Sequence, residues 1–420
     1  MGNVSILVGA QWGDEGKGKW IDIMARDVDI VARFQGGNNA GHTLYVDGKK
    51  VVLHQIPSGI FHPNKISALS SGVVVNPSQL LMEIRKVESF VKLTPERLWL
   101  SARAHVISPW HIHLDSKTET EAANPIGTTK RGIGPTYAEK ANRTGIRLGD
   151  YIDSKRREAW YESLCQTTPR FAEHRKAHAD QWREFDEAAE ALGPFVVDAE
   201  HRVREQIKSG KRALLEGAQG ALLDINHGTY PYVTSSETAA GGAFASLGFA
   251  PKSIDKIYGV AKAYVTRVGS GAFPTELKDK VGEHLATLGK EFGATTGRPR
   301  RCGWLDAVAL RYSGAISGYD GLILNKMDIL TGLDEIKVCV AYEHPTHGRI
   351  EEFPWDHEIL SQCTPVYKSF KGWTETLPSG GKISELSKNA RAYVDGVEEI
   401  IGYPVSMVGT GVNRQDALFR

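Results

Sequence analysis

The chain has few of the features that mark secreted, disulfide-linked or metal-binding proteins. It holds four cysteines in 420 residues, Cys165, Cys302, Cys339 and Cys363, with no C-x-x-C pair and no metal-site spacing. Scattered thiols of this kind are typical of the reducing cytosol. Their pattern excludes a disulfide framework and predicts a cytoplasmic protein.

Charge of one sign is also lacking, because 51 Lys and Arg residues face 50 Asp and Glu residues, for a formal net charge of +1. Such a balance gives no basic footprint for nucleic acid. No apolar run reaches the ~20 residues of a membrane span, and the amino terminus has no basic export segment with a cleavage site. We therefore expect neither a nucleic-acid partner nor a membrane partner.

Low-complexity tracts, heptads and internal repeats are missing as well, which excludes fibrous and solenoid classes. Short apolar, β-branched runs recur instead, with helical stretches between several of them. The runs are Ser5–Val8, Ile30–Phe34, Val51–Leu53, Ser67–Leu69, Ala213–Leu215, Lys256–Val260, Gly321–Leu324 and Glu335–Ala341. This alternation predicts an α/β fold with a large, mostly parallel central β-sheet and surrounding helices. Residues 150–211 are charged and Ala-rich, and we predict that they form a helical subdomain within one domain spanning 1–420.

A loop rich in glycine and lysine follows the first apolar run, and residues 13–19 read Gly-Asp-Glu-Gly-Lys-Gly-Lys. Glycines let backbone N–H groups approach a polyanion and lysines add positive charge, so the loop predicts phosphate binding. It is not an ordinary P-loop, because Trp20 stands where Ser or Thr would hold Mg²⁺. Asp14 would be unfavourable beside phosphate unless a metal ion or a reacting proton needs it.

A second motif, Asn325-Lys326-Met327-Asp328, follows the apolar run Gly321–Leu324. The Asp328 carboxylate can accept hydrogen bonds from both the N1–H and the 2-amino group of guanine, and adenine has no such donor pair. A contact of this kind discriminates by about 1–3 kcal/mol or more. With the phosphate loop, the motif predicts GTP as the nucleotide.

Further polar clusters follow other apolar runs. Residues 35–43 hold amides and His42, which could act as a general acid or as a donor to a developing oxyanion. Gln219 follows the run 213–215, where strand ends bind ligands in open α/β sheets.

Two more loops are candidate anion sites. Residues 127–135 mix hydroxyls, cations and glycines as a monophosphate site would, although a plain surface turn explains them equally well. Residues 293–301 carry three arginines behind two threonines, a combination that binds carboxylates or phosphates. Because GTP alone does not use this many anion sites, we expect a second phosphorylated substrate and a dicarboxylate.

These motifs, in this order, resemble those of the adenylosuccinate synthetase family over nearly the whole chain. The resemblance is carried by Gln11–Lys19, Gln35–Thr43, Gly127–Pro135, Glu216–Gly220, Asp224–Ser236, Gly293–Arg301 and Lys326–Asp328. The family is a dimer that joins IMP to L-aspartate with GTP through a 6-phosphoryl-IMP intermediate, giving adenylosuccinate, GDP and phosphate. The resemblance implies a carbon–nitrogen ligase of purine biosynthesis.

The resemblance also implies roles for single residues. Asp14 would take the N1 proton of IMP and, with the Gly41 carbonyl, ligate Mg²⁺. His42 would stabilise charge at the transferring phosphoryl group, Lys17 would neutralise phosphoryl charge, and Gln219 would complete the catalytic set.

The implied ligand-binding residues form three sets. The GTP set is Gly13, Asp14, Glu15, Gly16, Lys17, Gly18, Lys19, Gly41, His42, Thr43, Arg300, Lys326, Met327, Asp328, Gly409, Thr410 and Gly411. The IMP set is Asp14, Lys17, Asn39, Ala40, Gly41, His42, Thr129, Arg143, Gln219, Thr234 and Arg298, with Arg143 supplied by the other subunit of a homodimer. The aspartate set is Ala294, Thr295, Thr296, Gly297, Arg298 and Arg300.

Four residues depart from the usual family pattern: Asn38, Glu237, Pro299 and Gly409, where members more often have His, Asn, Arg and Ser. Glu237 adds negative charge near the IMP threonine, and Pro299 removes a cation beside the aspartate site. An alternative is therefore a paralogue with the same chemistry on a modified purine nucleotide or with another amino donor. A non-catalytic GTP-binding module is a further alternative, although it has no need for the catalytic residues or the arginine loop.

Overall fold

A computed structural model describes residues 3–46, 48–123, 125–293 and 297–420. Its strands are β1 (Val4–Gly9), β2 (Ile30–Arg33), β3 (His42–Val46), β4 (Lys49–Leu53), β5 (Ile66–Leu69), β6 (Val74–Val75), β7 (Leu98–Ser101), β8 (His105–Val106), β9 (Val196–Val197), β10 (Ala213–Glu216), β11 (Ile254–Lys262), β12 (Val265–Arg267), β13 (Arg301–Gly303), β14 (Leu305–Asp306), β15 (Gly321–Asn325), β16 (Glu335–His344), β17 (Gly348–Ile350), β18 (Thr364–Lys371), β19 (Val405–Gly409) and β20 (Ala417–Phe419).

The α-helices connect these strands and cover the sheets. They are α1 (Lys17–Met24), α2 (Pro77–Glu88), α3 (Pro109–Glu121), α4 (Ile133–Asn142), α5 (Leu148–Tyr151), α6 (Ser154–Thr167), α7 (Pro169–Ala177), α8 (Ala179–Ala191), α9 (Ala199–Lys208), α10 (Gly241–Leu247), α11 (Lys280–Leu288), α12 (Ala307–Ser317), α13 (His357–Gln362) and α14 (Lys388–Ile401). Among the described residues, no helix is long and apolar enough to cross a membrane.

Ten strands form the central sheet, in the order β20-β19-β15-β11-β1-β10-β2-β5-β7-β9. Neighbouring strands are parallel throughout except for the pair β19–β20. Strands such as β2 and β10 are buried along their whole length, as expected for a parallel sheet with helices on both faces. The prediction of an α/β fold with a mostly parallel sheet is confirmed.

Two of the predicted strands lie outside this sheet. The run Val51–Leu53 belongs to β4, which forms an antiparallel hairpin with β3. The run Glu335–Ala341 belongs to β16, which joins β14, β17 and β18 in a smaller sheet. Periodicity cannot distinguish these strands from central ones, because pairing depends on distant parts of the chain.

Residues 150–211 contain the helices α6 to α9 and the short strand β9. Trp182 and the rings of Tyr161 and Phe171 are buried between these helices, and the Trp160 indole donates to the Thr144 carbonyl at 3.0 Å. Strand β9 pairs with β7 at the edge of the central sheet, so this segment is continuous with that sheet. Its description as a subdomain stays a prediction.

The start of the chain lies at the centre of the sheet, where β1 is flanked by β10 on one side and β11 on the other. The carboxyl ends of parallel strands meet at one edge, and ligands bind where the strand order reverses. Gly9, Glu216, Lys262 and Asn325 end four adjacent strands at this edge. The fold thereby brings together motifs that are hundreds of residues apart in sequence.

The ends of β15 and β19 approach each other too closely for a side chain at Gly409, because a Cβ there would lie 2.0 Å from Asn325 Oδ1. We predict that Gly409→Ala lowers the free energy of unfolding by about 1–3 kcal/mol through overpacking. Gly241→Ala is the matched control, since a Cβ at Gly241 would meet nothing within 4 Å. Equal denaturant stability of the two variants would contradict the close packing at Gly409.

Candidate active site

A cleft of about 640 Å³ opens at the carboxyl edge of the central sheet. It is lined by many of the residues that the sequence predicts for substrate binding and catalysis. These are Gly13, Asp14, Gly16, Lys17, Gly18, Lys19, Asn39, Ala40, Gly41, His42, Thr43, Thr129, Gln219, Thr234, Arg298, Arg300, Lys326, Asp328 and Gly411.

Some predicted residues do not line the cleft. Met327 is fully buried in the core, and the Thr410 hydroxyl donates to the Pro378 carbonyl at 2.7 Å. Glu15, Gly409 and Gly297 also lie outside the lining, and so does Arg143, which is exposed at the end of α4. The predicted aspartate-binding residues 294–296 lie outside the described residues.

The phosphate loop is shaped by left-handed backbone and by the buried carboxylate of Glu15. Gly13, Asp14 and Gly16 have φ values of 86°, 62° and 88°, a conformation that glycine adopts without strain. Glu15 accepts from the Gly13 amide at 2.9 Å, from the Gln11 amide at 3.1 Å and from Lys17 Nζ at 2.7 Å. Glu15 therefore holds the loop in shape from beneath.

The two lysines of the loop have different surroundings. Lys17 Nζ contacts Glu15 and the Gln219 carbonyl. Lys19 Nζ donates to the carbonyls of Gly411 at 2.8 Å and Asp416 at 2.7 Å, and burial lowers the pKa of Lys19 to about 8. The lysine at the usual P-loop position thus holds the carboxyl-terminal turn against α1.

His42 lies at the start of β3, and its Nδ1 is hydrogen-bonded to Oε1 of the buried Glu216. The other oxygen of Glu216 accepts from the Ser58 amide at 2.8 Å. Burial lowers the pKa of His42, although the neighbouring Glu216 opposes this effect. Because Nδ1 is engaged, Nε2 is the ring nitrogen that can reach a ligand.

Close packing holds His42 against α1, the helix that begins in the phosphate loop. A Cβ at Gly18 would lie 3.0 Å from the Cβ of His42, so a glycine there lets α1 and β3 approach. Sequence reasoning did not identify Glu216 and Ser58 as the partners of His42. The available signal for Glu216 is its position, since it is a charged residue directly after the apolar run 213–215.

The guanine motif is tied to the phosphate loop by Asn325, whose Nδ2 donates to the Glu15 carbonyl at 2.8 Å. A Cβ at Gly16 would lie 2.3 Å from the same Nδ2, so the loop packs directly on this amide. Asn325 therefore fixes the distance between the two predicted parts of a nucleotide site.

Buried polar atoms in the cleft lack hydrogen-bond partners. Both amide atoms of Gln219 and Oδ1 of Asp328 are buried and unpaired in the described part of the chain. Gln219 also has a left-handed φ of 56°, and burial raises the pKa of Asp328. Because a buried polar group without a partner costs about 1–3 kcal/mol, these atoms indicate contacts that a polar ligand completes.

Asp14 forms an ion pair with Arg300, with 2.8 Å between Oδ2 and Nε. Arg300 Nη1 contacts the buried Glu291 at 2.6 Å, and Lys326 Nζ contacts the same carboxylate at 2.6 Å. Arg300 of the arginine-rich loop and Lys326 of the guanine motif thus meet at Glu291, beneath the cleft. Sequence reasoning did not single out Glu291.

Three of the departures from the family pattern, Asn38, Glu237 and Pro299, lie outside the cleft lining. Asn38 is buried, and its carbonyl accepts from Arg131 Nη1 at 2.8 Å. Glu237 and Pro299 are exposed. Gly409 is the residue whose close contact with Asn325 leaves no space for the usual Ser.

The fold and the cleft are those of an α/β protein in which the predicted nucleotide motifs and further candidate anion-binding residues share one site. The family model of adenylosuccinate synthetase matches residues 6–418. Adenylosuccinate synthetase of Chlorobaculum tepidum is 47% identical over 426 residues, with 100% of this chain and 98% of the relative covered. That of Desulforudis audaxviator is 47% identical over 420 residues, with 98% and 97% covered.

Solved structures agree with this result. The structure of fully ligated adenylosuccinate synthetase from Plasmodium falciparum is 40% identical, covers 100% of both chains and has a TM-score of 0.93. Succinoaminodeoxyadenylate synthetase of cyanophage S-2L is 18% identical with a TM-score of 0.64 and covers 100% of this chain and 95% of its own, so it shares the fold. The chain belongs to the adenylosuccinate synthetase family. It is a carbon–nitrogen ligase that joins IMP to L-aspartate with GTP, as the family resemblance implied.

Proposed function

We propose that the cleft holds GTP, IMP and aspartate together and that phosphoryl transfer to the 6-oxygen of IMP precedes attack by the amine. The observation that carries this proposal is that one cleft holds the Gln219 amide and a carboxylate oxygen of Asp328, neither of which is hydrogen-bonded to any described residue. Asp328 suits the N1–H and 2-amino group of guanine, whereas the Gln219 amide suits the edge of a hypoxanthine. Two purines, not one, complete the hydrogen bonding of this cleft.

In the proposed complex GTP lies along the phosphate loop. Backbone N–H groups of residues 14–18, which include the start of α1, face its phosphates, and Lys17 neutralises part of their charge. The Lys326 stem covers guanine, and Gly411, held by Lys19, closes the other side of the base. Thr43 and Arg300 complete the nucleotide contacts.

IMP lies between residues from several loops, with Asn39, Ala40, Thr129, Thr234 and Gln219 as its contacts. Asp14 accepts the N1 proton, which places negative charge on the 6-oxygen and makes it a better nucleophile. The ion pair of Asp14 with Arg300 must then be exchanged for contacts with substrate.

His42 acts at the transferring phosphoryl group. Its pKa is lowered by burial in the free protein, so an incoming phosphate restores the preference for the charged ring, with Glu216 as the counter-ion. The imidazolium then stabilises charge that develops during transfer.

In the second step the amine of aspartate attacks C6 and phosphate leaves. Arg298 and Arg300 bind the carboxylates of aspartate, together with residues 294–297. Arg298 Nη1 also donates to the Gly127 carbonyl at 3.1 Å. This hydrogen bond connects Arg298 with residues 127–135, the candidate monophosphate site. A guanidinium suits a dicarboxylate because it binds each carboxylate in two-point fashion.

Mg²⁺ fits the donors of this cleft, because the Asp14 carboxylate and the Gly41 carbonyl are hard oxygen ligands in its lining. The described residues contain no group of three or more His, Cys, Asp or Glu that could hold a metal ion. This suits an ion that takes its remaining ligands from substrate phosphates and water. When bound, Mg²⁺ would neutralise phosphate charge.

We also propose that the protein works in the cytoplasm as a homodimer. Arg143 is exposed, has a left-handed φ of 64° and lies outside the cleft lining of its own subunit. In the proposed dimer, Arg143 at the end of α4 binds the IMP phosphate of the second subunit.

Incubation with Mg²⁺, GTP, IMP and L-aspartate should give adenylosuccinate, GDP and phosphate, identified by mass spectrometry. GTP should be used far better than ATP. Asp328→Asn should lower kcat/KM for GTP by about tenfold to a hundredfold, since an amide offers one acceptor where the carboxylate offers two. Equal turnover of ATP and GTP by the unchanged protein would contradict this role of Asp328.

Asp14→Asn should lower turnover by roughly a hundredfold or more, because it removes the general base and a charged metal ligand. His42→Asn should reduce kcat far more than GTP affinity, since the charge that His42 meets appears in the transition state. Thermal unfolding should stay close to that of the unchanged protein, which separates chemistry from folding. Near-normal turnover in either variant would refute the assigned mechanism.

Arg143→Leu and Asp14→Ala should each be inactive alone, yet a mixture should recover activity. Hybrid dimers contain one cleft with an intact Asp14 and an intact Arg143 from the opposite subunit. Subunit exchange is verified with two affinity tags before the assay. Absence of recovery after verified exchange would argue against a shared site.

A further inference from the structure

Beneath the cleft, Glu291 is the meeting point of several cationic side chains. It follows α11 and is almost completely buried, with 1% of its surface exposed, and it does not line the cleft. Its Oε1 accepts from Lys326 Nζ at 2.6 Å and from the Tyr264 hydroxyl, and its Oε2 lies 2.6 Å from Arg300 Nη1. Lys262 Nζ lies 3.4 Å from both oxygens.

Charge explains why this carboxylate stays ionised. Burial alone would raise the pKa of Glu291, but Lys262, Lys326 and Arg300 hold it well below its usual range. With Asp14 counted, three cations face two carboxylates. The group therefore carries surplus positive charge next to a cleft that binds anions.

The two cations that contact Glu291 most closely belong to different sides of the cleft. Lys326 belongs to the guanine side of the cleft, whereas Arg300 pairs with Asp14 on the catalytic side. The backbone adds a second link, because the Arg300 amide donates to the Glu291 carbonyl at 2.9 Å. A shift of the Glu291 carboxylate would therefore move both Lys326 on the guanine side and Arg300 on the catalytic side.

We propose that Glu291 is a positioning residue that fixes Arg300 for aspartate and Lys326 for guanine through its two oxygens. This inference rests on the proposed function. Glu291 touches no substrate, and it acts through the direction in which it holds the two cations.

Glu291→Gln separates the two contacts. Its amide oxygen can still accept from Lys326 and Tyr264, but its NH₂ group then faces the Arg300 guanidinium, donor against donor. We expect KM for aspartate to rise about tenfold to a hundredfold, the cost of losing a charged hydrogen bond, and KM for GTP, to which Arg300 adds one proposed contact, to rise less. Glu291→Asp keeps the charge but is one methylene shorter, so it should raise both KM values.

Glu190→Gln is the matched control, because Glu190 pairs with Arg157 at 2.7 Å and neither residue lines the cleft. It should leave both KM values unchanged. Thermal unfolding is measured for every variant. A lower melting temperature with unchanged KM values for Glu291→Gln and Glu291→Asp would overturn the inference, because it would show a purely structural role.

The remaining outcomes are also decisive. If Glu291→Gln does not fold, folded Glu291→Asp decides, with raised KM values supporting the inference and unchanged values overturning it. If neither variant folds, the carboxylate serves the fold and the inference fails. Formation of adenylosuccinate by the unchanged protein in the same assay tests the proposed function separately.

Discussion

The cleft depends on two carboxylates, Glu216 and Glu291, that are buried beneath it. A buried charge is tolerated only with counter-charges and hydrogen bonds. Glu216 has His42 and the Ser58 amide, and Glu291 has its lysines, Tyr264 and Arg300. Each carboxylate thereby holds cationic or donor groups at a fixed place beside the cleft before any ligand arrives.

Preorganisation of this kind follows from the parallel sheet. Strands β10, β11 and β15 end at one edge, where Asn325 lines the cleft and Glu216 and Lys262 lie buried beneath it. The strands are rigid because their apolar residues are buried on both faces. The loops that follow these strands begin at the same edge of the sheet, which explains how polar groups from distant segments reach a common site.

Sequence reasoning predicted the sheet, the phosphate loop and the guanine motif because each has a local pattern: apolar runs, glycine spacing and N-K-x-D. It could not identify Glu291, since a single glutamate after a helix has no local signature. Nor could it separate the lysines of the loop, because the Lys19 contacts with Gly411 and Asp416 join residues far apart in sequence. Contacts between residues far apart in sequence depend on the tertiary structure and have no local sequence pattern that predicts them.

The acid inside the phosphate loop has a physical explanation in these contacts. A bare carboxylate at Asp14 would repel phosphate, yet Arg300 compensates its charge at 2.8 Å. Arg300 is in turn held by Glu291, so the guanidinium is shared between a buried carboxylate and one in the cleft. In the proposed mechanism, substrate binding exchanges one partner of Asp14 for another and does not create an isolated charge. As the proposed base, Asp14 would thereby stay paired, at a low free energy cost, until the N1 proton of the substrate is within reach.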